Sequence, residues 1–262
     1  MRPVEPEAQA AGIRIQLCGR FVVRIGGQRV EDRMPGRQGR LLFAFLAARP
    51  HRTATRDELI EALWQHDLPS APQLALSALI SKLRRLLGEG SLEGRSEIRL
   101  DLSQEAFVDV QAARHAVHQA ESLITAERWW DAYPGAVIAG AIARREFMRS
   151  EDAPWISEVR QEMADVCVRA IEANARICLA VGETELPTAA RLARELTERA
   201  PFRESGYCLL MRALERAGNV AEALRVYESL RARLREELGV SPSAQASALH
   251  TRLLRGDAPA GS

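Results

Sequence analysis

Residues 70–87 combine an apolar repeat of helical period with side chains that donate and accept hydrogen bonds. At about 100° per residue, the apolar side chains fall on one face of a helix. They are Leu76, Leu79, Ile80, Leu83, Leu86 and Leu87. The opposite face and its flanks are small or polar apart from one leucine, and they carry Gln73, Leu74, Ser77, Ala78, Ser81, Lys82, Arg84 and Arg85.

The polar face has side chains of the types that proteins use to contact DNA bases and phosphates. An arginine such as Arg85 can donate two hydrogen bonds to a guanine edge, while Lys82 and Arg84 can reach phosphates on either wall of the major groove. We therefore predict a DNA-recognition helix whose groove-facing residues are Gln73, Ser77, Ser81 and Arg85. The same pattern is typical of an amphipathic surface helix with a solvated basic face, so the neighbouring elements decide between the two interpretations.

The ends of this helix are marked in the sequence. Ser70 is expected to be the N-cap, because a serine hydroxyl can accept from a free N–H of the first turn. Pro72 fits that turn because its missing N–H would have no helical partner. Gly88 follows the last leucine and predicts the end of the helix.

Helices and hairpins are predicted on both sides of the recognition helix. One helix covers residues 40–48, and another begins at Thr55, where Glu58 has the spacing of a capping box. After the recognition helix, residues 92–95 and 98–102 are predicted to form a short hairpin. Alternating residues separated by glycines predict strands at the start of the chain, over residues 13–18, 21–25 and 28–30.

This order of strands, three helices and a hairpin predicts an α+β winged helix-turn-helix domain over residues 12–104. The hairpin would be the wing, with Arg95 and Arg99 placed to hold DNA phosphates. Arg52 and Thr53, just before the second helix, are further candidates for phosphate contacts, together with Lys82 and Arg84.

The charge distribution favours a polyanionic partner for this domain. The whole chain of 262 residues has a formal net charge of only +1. Residues 12–104 contain 15 Lys and Arg against 10 Asp and Glu, a surplus of five, so the remaining residues carry −4. A basic domain joined to a mildly acidic remainder is the electrostatic pattern expected of a DNA-binding domain with a separate second domain.

The second half of the chain, residues 105–255, is predicted to be a separate domain that is entirely helical beyond Phe107. This half contains a weak internal repeat with a shift of 34 residues, which matches Ala189, Leu192 and Leu196 to Ala223, Val226 and Leu230. A 34-residue period of helix pairs is typical of tetratricopeptide repeats, which stack to bury their apolar faces. A generic helical bundle is the alternative. Disordered segments are expected at residues 1–11 and 256–262.

The two halves together resemble the Streptomyces antibiotic regulatory protein family over roughly residues 13–254. In the first half, the resemblance depends on residues 17–23 (LCGRFVV), 57–64 (DELIEALW) and 81–87 (SKLRRLL). In the second half, it depends on residues 153–155 (APW), 200–204 (APFRE), 218–227 (GNVAEALRVY) and, most specifically, 236–243 (EELGVSPS).

The resemblance implies an OmpR-like winged helix followed by a bacterial transcriptional activation domain built on tetratricopeptide-like helices. It implies a transcriptional activator that binds direct repeats in promoter DNA as a homodimer. It also implies recruitment of RNA polymerase through its sigma factor, in the regulation of a secondary-metabolite gene cluster. Two departures concern sequence specificity: Leu74 and Ser77 stand where family members often have Asn and Gln, and Glu97 lies where a Gly-Tyr pair is usual.

Other chemistries find little support in the sequence. Asp57, Glu58 and Glu61 could suggest acid–base catalysis, but a helix cap and a solvated face explain them. His115 and His118, with Glu121 three residues further on, have a spacing that could hold a metal, but no second pair converges on them. The sequence has no phosphate-binding glycine loop and no nucleophile elbow, so we expect no enzyme, cofactor or metal.

Compartment and rival functions complete the sequence-based expectations. The four cysteines lack paired spacing and are expected to be reduced and buried in a cytoplasmic, nucleoid-associated protein with no membrane partner. One rival function is a protein-interaction scaffold in which the helical repeats bind a partner. Another is a sensor whose helical domain binds a small ligand and thereby controls DNA binding.

Overall fold

The computed structural model describes residues 12–65, 67–88, 90–102 and 105–256. The predicted disordered leader, and the predicted tail apart from Gly256, lie outside these residues. The chain forms two compact units. The first contains the chain up to Ala112 and again Ile142–Met163, and the second contains Ala113–Ala141 and the chain from Ala164 onward. The predicted boundary near residue 104 stays a prediction.

Short strands form two sheets in the first unit. They are β1 (Arg14–Gln16), β2 (Val22–Ile25), β3 (Gln28–Arg29), β4 (Thr53–Thr55), β5 (Leu92–Glu93), β6 (Glu97–Leu100) and β7 (Phe107–Val108). One sheet has the order β3-β2-β1-β7, with β7 parallel to β1 and the other pairs antiparallel. The other sheet is antiparallel, with the order β4-β6-β5.

Three helices pack against one another beside the second sheet: α1 (Gly36–Ala48), α2 (Arg56–Trp64) and α3 (Pro72–Leu87). Their shared core is made of leucine and isoleucine side chains that are almost fully buried, among them Leu42, Leu46, Leu59, Leu76, Ile80 and Leu83. The hairpin of β5 and β6 follows α3, so strands, three helices and a wing occur in the predicted order. The winged helix-turn-helix architecture predicted from the sequence is confirmed.

The predicted start of α3 needs correction. Ser70 is not the N-cap; Ala71 occupies that position and no side chain caps the first turn. The reason is Pro72, which begins the helix and disfavours a helical conformation in the residue before it, so Ala71 adopts φ −133° and ψ 73°. The end of α3 is as predicted, since Gly88 has φ +101° and its N–H donates to the carbonyl of Arg84 at 3.0 Å.

The start of α2 is confirmed in detail. Thr55 is the N-cap; its side chain accepts from the backbone N–H of Glu58, and the Glu58 carboxylate accepts from the N–H of Thr55 at 2.7 Å. By contrast, α1 begins at Gly36, four residues before the predicted start at Arg40. Residues 36–39 (GRQG) lack the large apolar side chains by which a helical period is recognised.

Residues 142–163 complete the first unit. Trp155 lies in the first turn of α6 (Pro154–Val181), and its ring packs edge-on against Phe45 and Phe147 at centroid distances of 5.2 and 5.9 Å. Its indole Nε1–H donates to the backbone carbonyl of Ala62 in α2 at 3.2 Å. Trp155 of the APW motif therefore contacts both α1 and α2.

The second unit is helical. Besides the remainder of α6 it contains most of α4 (Asp109–Thr125) and of α5 (Trp129–Ala143). The first residues of α4 and the last two residues of α5 belong to the first unit. The others are α7 (Leu186–Arg199), α8 (Glu204–Arg216), α9 (Val220–Arg233), a π-helical turn (Leu234–Leu238) and α10 (Ala244–Arg255). Within this unit α7 packs on α8, α8 packs on α9, and α10 packs on both α8 and α9. Among the described residues, no helix is long and apolar enough to cross a bilayer.

The internal repeat places two of its three pairs of residues at like depths, since Leu192 is buried whereas Val226 is only half-buried. Ala189 and Ala223 are both buried, and so are Leu196 and Leu230. In each pair one residue lies in α7 and the other in α9, and both of these helices pack on α8. The helical character of the second half is confirmed, while its assignment as tetratricopeptide repeats stays a prediction. All four cysteines are buried, and no disulfide joins them.

Candidate nucleic-acid interface

Helix α3 divides into a buried face and an exposed face along its whole length. Leu76, Ile80 and Leu83 are buried in the core of the first unit. The exposed side carries the residues predicted to face DNA, Gln73, Ser77, Ser81, Lys82, Arg84 and Arg85. Leu74 belongs to the same surface and is 73% exposed. The burial of one face and exposure of the other agree with the helix orientation expected from the sequence.

The first turn of the exposed face is organised by Arg56, the first residue of α2. Its Nε–H donates to Oε1 of Gln73 at 2.7 Å. Its terminal NH₂ donates to the backbone carbonyl of Gln73 at 2.9 Å and to Oγ of Ser77 at 2.7 Å. Sequence reasoning missed Arg56, although its position directly after the Thr55 cap could have indicated that it faces the next helix.

A cleft of about 610 Å³ lies beside the last turns of α3. It is lined by Arg33, Pro35, Gly36, Lys82, Arg85 and Leu86. Within the part of the chain that the structure describes, no carboxylate forms an ion pair with Arg33, Lys82 or Arg85. Three cations around one cleft create a positive potential that suits a phosphate group. Arg33, which precedes α1, is a second residue that sequence reasoning did not find.

Arg84 is used differently from its neighbours on α3. Its Nε–H donates to the carbonyl of Leu92 at 2.7 Å, and its terminal NH₂ donates to the carbonyl of Gly94 at 3.2 Å. Both acceptors belong to the wing, one in β5 and one in the turn that follows it. The guanidinium of Arg84 therefore attaches the recognition helix to the wing and has fewer N–H groups left for a phosphate.

The two arginines of the wing have unequal charge environments. Arg95 is exposed at the hairpin turn. Arg99 lies on β6 and forms ion pairs with Glu93 at 3.0 Å and with Asp101 at 3.5 Å. Because both carboxylates reduce the positive potential around Arg99, Arg95 is the stronger candidate for a phosphate contact.

Thr53 begins β4, a strand that the sequence did not predict, and Arg52 directly precedes it. Thr53 pairs with Arg99 of β6. Arg52 has φ +55°, is half-buried, and donates from its terminal NH₂ to Oε1 of Gln111 at 3.1 Å. These contacts are internal to the first unit, so Arg52 has a structural use here. Its predicted phosphate contact stays a prediction.

Two members of the acidic cluster of α2, Asp57 and Glu58, have structural partners. Hydrogen bonds from the backbone and side chain of Thr55, together with Arg49, hold the pKa of Glu58 below its ordinary value despite partial burial. Asp57 accepts from Nε2 of Gln73 at 3.3 Å. In the second unit, both carboxylate oxygens of Glu121 accept from Arg169, at 2.8 and 2.6 Å. Among the described residues, no group of three His, Cys, Asp or Glu side chains could hold a metal ion.

Comparison with known families agrees with this architecture. The profile described as "Transcriptional regulatory protein, C terminal" matches residues 35–99, which include the three helices and most of the wing. The profile described as "Bacterial transcriptional activator domain" matches residues 108–254, more than half of the chain.

Several curated proteins align with nearly the whole chain. "Regulatory protein AfsR" of Streptomyces griseus is 34% identical over 263 residues, which is 95% of this chain and 25% of that protein. "Transcriptional regulatory protein EmbR" of Mycobacterium tuberculosis is 26% identical over 91% of this chain and 62% of that protein. The structure titled "Mycobacterium tuberculosis EmbR in complex with low affinity phosphopeptide" has a TM-score of 0.81, 22% identity, and coverage of 93% of this chain and 65% of that chain.

Fold, surface and profiles define the class of protein: a winged-helix transcriptional regulator with a bacterial transcriptional activator domain. The chain belongs to the Streptomyces antibiotic regulatory protein family. It spans about a quarter of the length of the AfsR proteins that it matches.

Proposed function

We propose that this chain is a sequence-specific DNA-binding transcriptional activator that inserts α3 into the major groove. The observation that carries the proposal is the exposed face of α3, which aligns hydrogen-bonding residues with the cationic cleft of Arg33, Lys82 and Arg85. A surface of this kind can neutralise phosphates at its edge while its centre reaches base edges.

The contacts divide the predicted site residues by role. Gln73, Ser77, Ser81 and Arg85 lie on the exposed face of α3 and are proposed to contact bases. Lys82, Arg95 and the additional Arg33 are assigned to phosphates. Arg84 is assigned to positioning of the wing because it donates to two wing carbonyls. Arg99, Arg52 and Thr53 are assigned secondary roles because each already has partners within the first unit.

The wider function follows from family membership and rests on it alone. We propose that the protein binds direct repeats in promoters as a homodimer and contacts RNA polymerase and its sigma factor. The genes under its control would include a secondary-metabolite cluster. A protein with this role works in the cytoplasm, at the nucleoid.

The dependence of DNA affinity on salt tests the electrostatic part of the proposal. If six phosphate charges are neutralised, log K should fall against log salt concentration with a slope of about −5, from roughly 0.9 per charge. Replacement of both Lys82 and Arg85 by alanine should make the slope shallower by about 1, because Lys82 is assigned to a phosphate and Arg85 to a base. Arg24→Ala, an exposed arginine on β2, is the matched control and should leave the slope unchanged. Affinity that does not change with salt would contradict the proposal.

One surface of the second unit favours an additional protein-binding role. Trp130, Tyr133, Val137 and Ile138 form an exposed apolar stripe on α5, and Trp130 is 71% exposed. Exposed apolar patches of this kind mark protein-interaction sites. If the helical unit also serves as a scaffold, the Lys82 and Arg85 double variant should still bind a protein partner, whereas Trp130→Ala should weaken that binding. Loss of partner binding in the double variant would argue against a separate scaffold role.

A further inference from the structure

Leu74 is an exposed leucine at the centre of the face of α3 that is assigned to DNA. Its side chain is 73% exposed. Leu83, which is fully buried in the core of the first unit, lies nine residues further on, about two and a half turns of an α-helix. Leu74 therefore lies on the side of α3 opposite the core. With α3 in the major groove, this side faces the base edges.

The residues around Leu74 on this face have short side chains. Those within two turns of it are exposed and small, namely Ala71, Ala78 and Ser81. Short side chains let the helix backbone come close to the bases, so Leu74 is the side chain that reaches furthest in this part of α3. Arg85 lies eleven residues further along the same side, roughly 16 Å away at 1.5 Å per residue. The two side chains would therefore meet different base pairs.

The first turn of α3, which carries Leu74, is held in place by α2. Arg56 donates to the backbone carbonyl of Gln73 at 2.9 Å and to Oγ of Ser77 at 2.7 Å. These bonds attach residues on both sides of Leu74 in the chain. Leu74 thus presents its apolar surface from a fixed backbone position.

The chemistry of the major groove determines which group can receive a leucine. The base edges carry nitrogen and oxygen donors and acceptors, and the one apolar group among them is the C5-methyl of thymine. Against a polar edge, leucine would displace water from atoms that it cannot hydrogen-bond, which costs free energy. Against the thymine methyl, both surfaces are apolar and their contact removes them from water, which is favourable.

We propose that Leu74 is a specificity-determining residue that reads the C5-methyl group of thymine. The proposal rests on the proposed insertion of α3 into the major groove, and it names the chemical group that one position of the helix recognises. It predicts a preference for thymine over cytosine at the base that Leu74 faces. This base belongs to a different base pair from the one that Arg85 contacts.

Replacement of thymine by deoxyuridine tests the assignment, because it removes the methyl group and keeps every hydrogen-bonding atom of the base pair. A binding site is first selected by the wild-type protein from DNA with randomised bases. Each thymine of that site is then replaced in turn, and the affinity is measured by titration. At one position of each repeat, deoxyuridine should weaken wild-type binding about four-fold, the effect of leaving one methyl group unburied. Leu74→Ala should bind the thymine and deoxyuridine forms of that position equally.

Further variants separate a methyl contact from a general effect on the protein. Leu74→Met keeps a long apolar side chain and should keep the difference between thymine and deoxyuridine. Leu74→Asn has a similar size but is polar, and it should lose the difference. Leu254→Ala is the matched control, since it removes a leucine that is 63% exposed on α10 of the second unit, and it should behave as the wild type.

Methylation of cytosine gives an independent test at the same position. 5-Methylcytosine carries the methyl group on a base with a different hydrogen-bonding edge. The wild-type protein should bind it more tightly than cytosine, by a factor similar to the loss on deoxyuridine. Leu74→Ala should not distinguish the two forms of cytosine.

Two results would overturn the assignment. In the first, deoxyuridine weakens the wild type and Leu74→Ala equally at every thymine. In the second, Leu74→Ala binds more weakly by the same factor whether the site contains thymine or deoxyuridine, so that Leu74 contacts the DNA without reading the methyl group. If the wild-type protein enriches no sequence in the initial selection, the proposed function itself fails. That result is seen before any base is replaced, so the two failures are distinguishable.

Discussion

The guanidinium of Arg84, in the last turn of α3, donates a hydrogen bond of 2.7 Å to the carbonyl of Leu92 in the first strand of the wing. A second bond from the same group reaches the carbonyl of Gly94 at 3.2 Å. Gly94 has φ +94°, and a Cβ there would collide with the carbonyl of Glu97. The recognition helix and the wing are thus joined through one side chain at a turn that only glycine fits.

Removal of this link should affect DNA binding through geometry. Arg84→Ala is expected to lower the free energy of unfolding by about 1 kcal/mol, because two charge-assisted bonds are lost at a partly exposed site. DNA affinity should fall on every sequence, since the wing is no longer held beside α3. Thermal unfolding and DNA titration measure the two effects. Arg85→Ala is the control and should leave the unfolding free energy unchanged; equal destabilisation by both variants would contradict a specific role for Arg84.

The capping box at the start of α2 makes a separate stability prediction. Thr55→Ala should lower the free energy of unfolding by about 1 kcal/mol, within a range of roughly 0.5–2, because the N–H of Glu58 loses its acceptor. Thr55→Ser keeps the hydroxyl and should retain most of the stability. Urea unfolding of the two variants measures the difference, and a serine variant as unstable as the alanine variant would show that the cap is not the cause.

The pairing of Glu121 with Arg169 predicts how the second unit responds to acid. The hydrogen bonds and charge of Arg169 hold the pKa of Glu121 below its ordinary value of 4.5, although partial burial opposes them. A carboxylate with a lowered pKa in the folded state stabilises the fold above its unfolded-state pKa. That stabilisation should disappear as the pH falls from about 4.5 through the lowered folded-state pKa.

Glu121→Gln tests this acid response. The variant should be less stable than the wild type by about 1 kcal/mol near neutral pH, after allowance for solvent screening of a partly exposed pair. The difference should shrink towards zero in acid, where the wild-type carboxylate is protonated. Unfolding midpoints measured across the acid range give the comparison. Glu198→Gln, an exposed position on α7, should show no such dependence; a constant difference for Glu121→Gln at every pH would contradict the linkage.

Local patterns were sufficient to predict much of this architecture. The period of Leu76, Ile80 and Leu83 identified the buried face of α3, and the spacing of Thr55 and Glu58 identified the start of α2. These features depend on residues within one or two helical turns. The helices of the second half were predicted for the same reason.

Features made by distant residues were not predictable in this way. Strand β4 has three residues, too few for an alternating pattern, and exists because it pairs with residues of β6 more than forty positions later in the sequence. Asp109 is the first residue of α4, and its carboxylate accepts from the backbone N–H of Val110 at 2.8 Å. It also accepts from the backbone N–H groups of Leu17 and Cys18, both at 2.9 Å, and burial raises its pKa although those bonds and Arg145 oppose the shift.

The site shows the same division between local and distant information. The helical period was enough to place Gln73 and Ser77 on the exposed face of α3. It could not reveal that Arg56 donates to both, or that Arg33 joins the cleft beside Lys82, because these contacts depend on how the helices pack.

Selection of genomic DNA fragments by the purified protein, at about 150 mM salt and with Arg85→Ala in parallel, tests the central claim most directly. We predict that the wild-type protein enriches fragments that share a short direct repeat, and that Arg85→Ala loses this enrichment while it retains the wild-type melting temperature. The loss should correspond to roughly 1–3 kcal/mol if Arg85 reads a base. Enrichment of the same fragments to the same extent by both proteins would contradict recognition through the exposed face of α3.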